Sequence, residues 1–163
     1  MDNGSRVLST KILKIVKYLK DFDDLKFIIC ANSFNKIQVE NLKKMNNCKI
    51  EKDLKIIHKH IPHCDFLIAR GGFNTITECL ILKKPTILYN ETKNIEVKKN
   101  INILVEKGLS YPVNRDFFTN LFKKKINYFR NHKLAKINNI FLKHKFRGNG
   151  SHQVGKIIIS CLT

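Results

Sequence analysis

The run Asp65-Phe66-Leu67-Ile68-Ala69-Arg70-Gly71-Gly72-Phe73-Asn74-Thr75-Ile76-Thr77-Glu78 decides how this chain folds. It opens as a short, continuously apolar strand, the pattern of a strand covered on both faces. It breaks at a diglycine, where backbone can turn sharply and come close to a ligand. It resumes as a helix start, whose N–H groups and partial positive charge suit a phosphate. Thr75 and Thr77 add hydroxyls. Glu78, one turn further in, can accept hydrogen bonds from two adjacent hydroxyls such as those of a ribose. Taken alone, the diglycine reads first as a plain tight turn, with Glu78 as a helix-dipole partner.

Outward from this run, short β-branched segments alternate with amphipathic stretches, which predicts an α/β, Rossmann-like parallel sheet flanked by helices. Leu8, Ile12, Ile15, Val16 and Leu19 recur at helical spacing over 6–20. A strand over 26–31, a helix over 34–45, a strand over 48–51 and a helical turn or two over 54–61 precede the central run. After it come a strand over 85–89 and a polar loop over 90–95. A helix then carries Val97, Ile101, Leu104 and Val105 on one face and closes at Gly108. A strand over 109–113 follows. Phe118, Leu121, Phe122, Ile126 and Phe129 stripe the next helix, a separate helix covers 133–143, and Val154, Ile157, Ile158 and Cys161 stripe a last one. The chain opens on Gly4-Ser5 and a helix with no strand ahead of them. In a doubly wound fold such a turn hangs from the central first strand, so the first strand reads as missing.

At 163 residues the chain suits a single domain spanning 1–163 with a core of its own. No apolar run approaches the ~18 residues of a membrane span, and no secretory signal opens the chain; the expected location is cytoplasmic. Five cysteines, odd in number and without a Cys-x-x-Cys pair, imply neither a disulfide framework nor a cysteine metal site. The net charge of +18 is carried almost wholly by lysine, since arginine stands only at positions 6, 70, 115, 130 and 147. A nucleic-acid reader leans on arginine, and no RNA- or DNA-binding motif accompanies the lysines. Lysine with abundant Asn and Ile reads as compositional drift, with attraction to an anionic membrane surface as the second reading. No specific nucleic-acid partner is expected.

The continuation gives the diglycine run its meaning. Lys84-Pro85-Thr86-Ile87-Leu88 is a strand opened by proline, and Glu96-Val97-Lys98-Lys99-Asn100-Ile101-Asn102 is a polar cluster starting a helix. Together with Asp65, Arg70, Gly72, Thr75 and Glu78, these resemble the nucleotide-sugar-binding C-terminal domain of MurG-like glycosyltransferases (glycosyltransferase family 28 type). That family includes the bacterial lipid II N-acetylglucosamine transferase and a eukaryotic donor subunit that works with a separate membrane-bound acceptor half. The pattern is specific from Asp65 to Gly108 and loose outside it. The resemblance implies the C-terminal half of a type B glycosyltransferase, with the acceptor-binding N-terminal domain absent. It places the diphosphate against backbone groups at Phe73, Asn74 and Thr75, counts Arg70, Gly71 and Gly72 among the substrate-binding residues, and places the ribose on Glu78. It places the donor sugar near Glu96, Val97 and Asn100, with Val97 standing where the family carries glutamine. It implies a backbone contact to uracil at Leu54 and a first phosphate loop ending at Gly4-Ser5.

The implied activity is transfer from a UDP-sugar, UDP-N-acetylglucosamine as first choice, to a lipid-linked or other glycan acceptor held by a separate subunit or domain. No metal or other cofactor is implied, and the catalytic base would come from the acceptor half. The implied location is the inner face of the membrane, peripherally bound. Two other readings stand beside it: a nucleotide-sugar hydrolase sharing the Gly-Gly…Thr…Glu signature, and a non-catalytic binding module or remnant, which the missing strand favours. Elsewhere, His58, His60 and His63 lack a fourth ligand at metal spacing, and His63 and Cys64 read as core-edge residues. No Gly-x-Ser-x-Gly elbow supports serine hydrolysis. Lys123-Lys124-Lys125 reads as a solvated helix face.

Overall fold

The computed structural model describes residues 4–31, 34–53, 59–89, 94–113 and 117–143, with side chains from Lys11 onward. Leu54, His58, the loop over 90–93 and the helix expected around Val154–Cys161 lie outside the described residues. The fold is α/β and Rossmann-like, with parallel strands in open sheets flanked by helices. Helix α1 (Gly4–Leu19) leads to strand β1 (Phe27–Cys30), α2 (Lys36–Lys43) and β2 (Cys48–Glu51). A 3-10 turn (Ile61–His63) then leads into β3 (Leu67–Arg70), α3 (Phe73–Ile81), β4 (Thr86–Tyr89), α4 (Ile95–Glu106) and β5 (Ser110–Pro112). The last described elements are α5 (Phe122–Phe129), a π-helical turn (Arg130–Leu134) and α6 (Ala135–Lys143).

Helix ends follow local chemistry. Asn35 and Gln38 cap α2 reciprocally, each side chain bonding the other's backbone N–H at 2.9–3.0 Å. Gly108 closes α4 at φ +68°, a left-handed conformation that glycine adopts without strain. Lys83 takes a similar conformation, φ +53°, in the tight turn from α3 to β4.

Strands β1 and β2 pair in parallel with Phe27 opposite Cys48. Strands β3, β4 and β5 form a second parallel sheet, Leu67 opposite Thr86 and Thr86 opposite Ser110. One apolar core serves both, from Ile15, Leu19 and Phe22 through Ile29 and Ala69 to Phe122, Phe129 and Phe141. Phe22 packs edge-on against Phe27 of β1 and against Phe122 of α5, at 5.6 and 5.9 Å between ring centres. Phe66, just ahead of β3, meets Phe129 at the other end of α5. Helix α5 therefore ties the two sheets together.

The separate helices expected over 118–129 and 133–143 are one continuous helical stretch from Phe122, interrupted by the π turn; Phe118 lies in the turn before it. A π turn holds one more residue than an α turn. The eight-residue step from Phe129 to Ile137 then behaves as seven residues, close to two full turns. Phe122, Ile126, Phe129, Ile137 and Phe141 are accordingly all buried.

Candidate functional site

The diglycine run folds as its residues dictate. Strand β3 ends at Arg70, Gly71 and Gly72 make the turn, and α3 starts at Phe73. Gly72 is the residue before the helix and has no side chain to cap it. The first-turn amides of Phe73, Asn74 and Thr75 thus receive no side-chain acceptor from the cap position. Arg70, directly before the turn, has a buried Nε with no hydrogen-bond partner among the described residues. A donor left in that state costs about 1–3 kcal/mol. Uncapped amides and an unsatisfied guanidinium nitrogen on one short segment make a place that favours an anion.

Gly71 is required by packing. A Cβ added there would sit 2.4 Å from Cγ1 and 2.8 Å from Cδ1 of Ile101, so the turn lies flush on α4. Gly72 has open space on its Cβ side. Asn100 of α4 donates from Nδ2 to the Gly71 carbonyl at 3.4 Å, across 29 residues of sequence. The structure therefore brings the Arg70–Thr75 turn and Asn100 together. Val97 is 2 % exposed and belongs to the core, its Cγ1 lying under Gly71; it supports the turn from beneath. Glu96 is exposed in the first turn of α4.

The N-terminus of α4 differs from that of α3. Asn94 caps it, its Oδ1 accepting from the amides of Glu96 at 2.9 Å and Val97 at 3.3 Å. Asn94 is a member of this neighbourhood that the sequence reading passed over, although Asn directly ahead of an apolar-periodic helix is a capping signal.

A groove of about 360 Å³ runs along the outer side of α3, lined by Phe73, Asn74, Thr77, Glu78, Ile81 and Leu82. Phe73 is 64 % exposed there, at the head of the helix. Glu78 is half-buried; burial, and second the charge of Glu78, push the neighbouring Cys79 thiol up to about 12. Thr77 was a candidate phosphate hydroxyl, but its Oγ1 donates to the Phe73 carbonyl one turn back, at 2.9 Å; its proton is spent within the helix. His63 is exposed rather than at the core edge. His60 instead meets Glu51 at 3.1 Å, alongside Lys49 at 2.9 Å from the same carboxylate oxygen. Among the described residues no group of His, Cys, Asp and Glu is arranged to hold a metal ion, and no helix is long and apolar enough to cross a membrane. Gly4 and Ser5 form the start of α1, and Leu54 lies outside the described residues.

No family model matches the chain, and no solved structure matches it. Three similar curated proteins are UDP-N-acetylglucosamine–N-acetylmuramyl-(pentapeptide) pyrophosphoryl-undecaprenol N-acetylglucosamine transferases of Prochlorococcus marinus. That of strain MIT 9301 is 38% identical over 78 residues, covering 47% of this chain and 22% of the relative. That of strain MIT 9312 is 33% identical over 91 residues, covering 55% and 24%. That of strain MIT 9515 is 36% identical over 81 residues, covering 48% and 22%. The chain thus spans roughly a quarter of the length of the curated relatives it matches. Over about half of its own length, this chain is similar to part of those N-acetylglucosamine transferases, which supports a domain of MurG-like type.

Proposed function

We propose that the chain is the donor-binding half of a glycosyltransferase, holding a UDP-sugar (UDP-N-acetylglucosamine as first choice) at the carboxyl ends of β3 and β4. The observation that carries this reading is the β3–α3 turn. Uncapped amides at Phe73, Asn74 and Thr75 and the unsatisfied Arg70 Nε stand together on a turn fastened to Asn100. Open parallel sheets bind ligands at this edge, and the likeness to N-acetylglucosamine transferases favours a nucleotide sugar over other anions.

In this reading the diphosphate lies on the turn, Glu78 accepts from the ribose hydroxyls, and Glu96 and Asn100 flank the sugar. As the bond from the sugar to the diphosphate breaks, negative charge grows on the leaving oxygen. In this reading the amides at the head of α3 and Arg70 meet that charge as groups fixed beforehand, so little reorganisation accompanies the step. The acceptor and the base that takes its proton come from another domain or subunit, and a lipid-linked acceptor would bring this half to the cytoplasmic membrane surface.

Calorimetric titration of the chain with UDP tests the reading. Binding should weaken about tenfold or more, about 1.5–3 kcal/mol, on Glu78→Ala, because a charged acceptor of ribose hydroxyls is lost. Binding of UDP that is unchanged in that variant removes Glu78 from the site. Release of free sugar from UDP-N-acetylglucosamine without an acceptor replaces transfer by hydrolysis.

A further inference from the structure

Helix α1 carries three lysines, and their surroundings differ. Lys14 and Lys17 are exposed, whereas Lys11 is half-buried. Lys11 stands one turn ahead of Ile15 and two ahead of Leu19, both 2 % exposed. It therefore lies along the face that α1 turns to the core, where a charged side chain is uncommon. Its Nζ lies over the ring of Tyr89, 5.9 Å from the ring centre. Tyr89 is the last residue of β4 and is buried. The Lys11 ammonium is thus held at the carboxyl end of the central strand of the β3–β4–β5 sheet.

Tyr89 joins Lys11 to the diglycine turn. It is the register partner of Arg70 across β3 and β4, and its carbonyl accepts from the Gly71 amide at 3.4 Å. Register partners of a parallel pair project to the same face of the sheet, so the Arg70 side chain and the Tyr89 ring share a face. Lys11 brings a second cation to that face, one strand away from Arg70 and at the edge where the first-turn amides of α3 begin. Covering Tyr89 would need only the apolar stem of a lysine. An ammonium, a guanidinium and uncapped amides at one strand edge suit a ligand that carries more than one negative charge.

We propose that Lys11 is a binding residue for the diphosphate, its ammonium meeting the anion held by Arg70 and the head of α3. This rests on the donor-binding reading of the turn and extends the site to a residue of α1. Lys11 then sets how strongly the site answers to the charge of its ligand, and its effect fades as salt screens that charge.

The test titrates the 163-residue chain and its Lys11→Met, Lys11→Arg and Lys17→Met variants with UDP and with inorganic pyrophosphate, and records Tm for each. Methionine keeps the apolar stem and removes the charge, and Lys11→Gln repeats the test should that variant not fold. Lys17 lies over Tyr18 at 4.9 Å and about 9 Å further along the helix axis, so it controls for charge in general. Lys11→Met should weaken UDP about fivefold to tenfold at ~0.01 M salt. Lys11→Arg should stay within about threefold of the parent and Lys17→Met within about twofold. The loss in Lys11→Met should narrow towards ~1 M salt, where screening cuts the reach of charge to about 3 Å. A side chain that only covers Tyr89 would change Tm and leave UDP affinity and its salt dependence alone, and that result overturns the proposal. Equal losses in Lys11→Met and Lys17→Met overturn it as well. UDP binding that weakens on Glu78→Ala but not on Lys11→Met keeps the donor reading and removes Lys11. Pyrophosphate binding that needs Lys11, without any binding of UDP, keeps Lys11 and removes the donor reading. Binding of neither ligand overturns both.

Discussion

Strands β1 and β4 carry the same kind of sequence, four residues of mostly apolar character, yet they end in different states. Every residue of Thr86–Tyr89 is buried, with β3 on one side, β5 on the other and helices packed around the sheet. Of Phe27–Cys30 only Ile29 is buried, and among the described residues β1 has a strand partner on one side alone. An apolar tetrad states what a strand can bury, and its neighbours decide how much it does bury. The better enclosed sheet is also the one whose carboxyl edge holds the Gly71-Gly72 turn. A turn presenting bare amides needs rigid strands and helices behind it, and α4 provides that support through Ile101, Val97 and Asn100.

If the two sheets were independent units, cutting their connection would leave two separate unfolding transitions. Phe122 is fully buried and packs against Phe22 at 5.9 Å and Phe117 at 5.4 Å. Phe122→Ala should therefore cost about 3–5 kcal/mol, read by denaturant unfolding. The loss should appear as one cooperative transition at lower denaturant. Two resolved transitions would mean that the shared core does not couple the sheets.

The better enclosed half can be probed at its turn with two substitutions one residue apart. Gly71→Ala places a methyl against Ile101 and should cost about 1–3 kcal/mol. Gly72→Ala meets open space in an extended backbone conformation and should stay within about 0.5 kcal/mol of the parent. Equal losses in the two variants would show that the turn does not rest on α4 as described.

The smallest effect belongs to the other half. Hydrogen bonds from Lys49 and, second, His60 hold the Glu51 carboxyl below the usual carboxylate range. A depressed carboxyl stabilises the fold above its unfolded pKa, roughly 4.3, and the contribution disappears as pH falls through the lower folded value. Glu51→Gln should lower Tm slightly at neutral pH, and the two proteins should converge in acid. A difference that persists unchanged down to about pH 2 would remove the ion pairs from the explanation.

Much of this was legible in the sequence, for reasons that can be named. Strand β2 falls at Cys48–Glu51, the bounds expected for it, and the diglycine marks the β3–α3 turn because it breaks an apolar strand sharply. Contacts distant in sequence were not legible. Nothing local to His60 announces Glu51, and nothing local to Val97 shows that its methyl groups lie beneath Gly71. Thr77 looked like a ligand hydroxyl because its sequence position does not reveal which acceptor its proton takes.

The widened turn at Arg130–Leu134 gives the last helical stretch an uncommon tolerance to changes in length. Deleting one residue there, His132 for instance, would let the backbone close into ordinary α-helix while the buried stripe on either side kept its phase. The same deletion within α4 would swing every downstream side chain by about 100° and pull Ile101 and Leu104 out of the core. A chain can absorb such a frame-preserving loss only where it already holds a residue beyond what the helix needs.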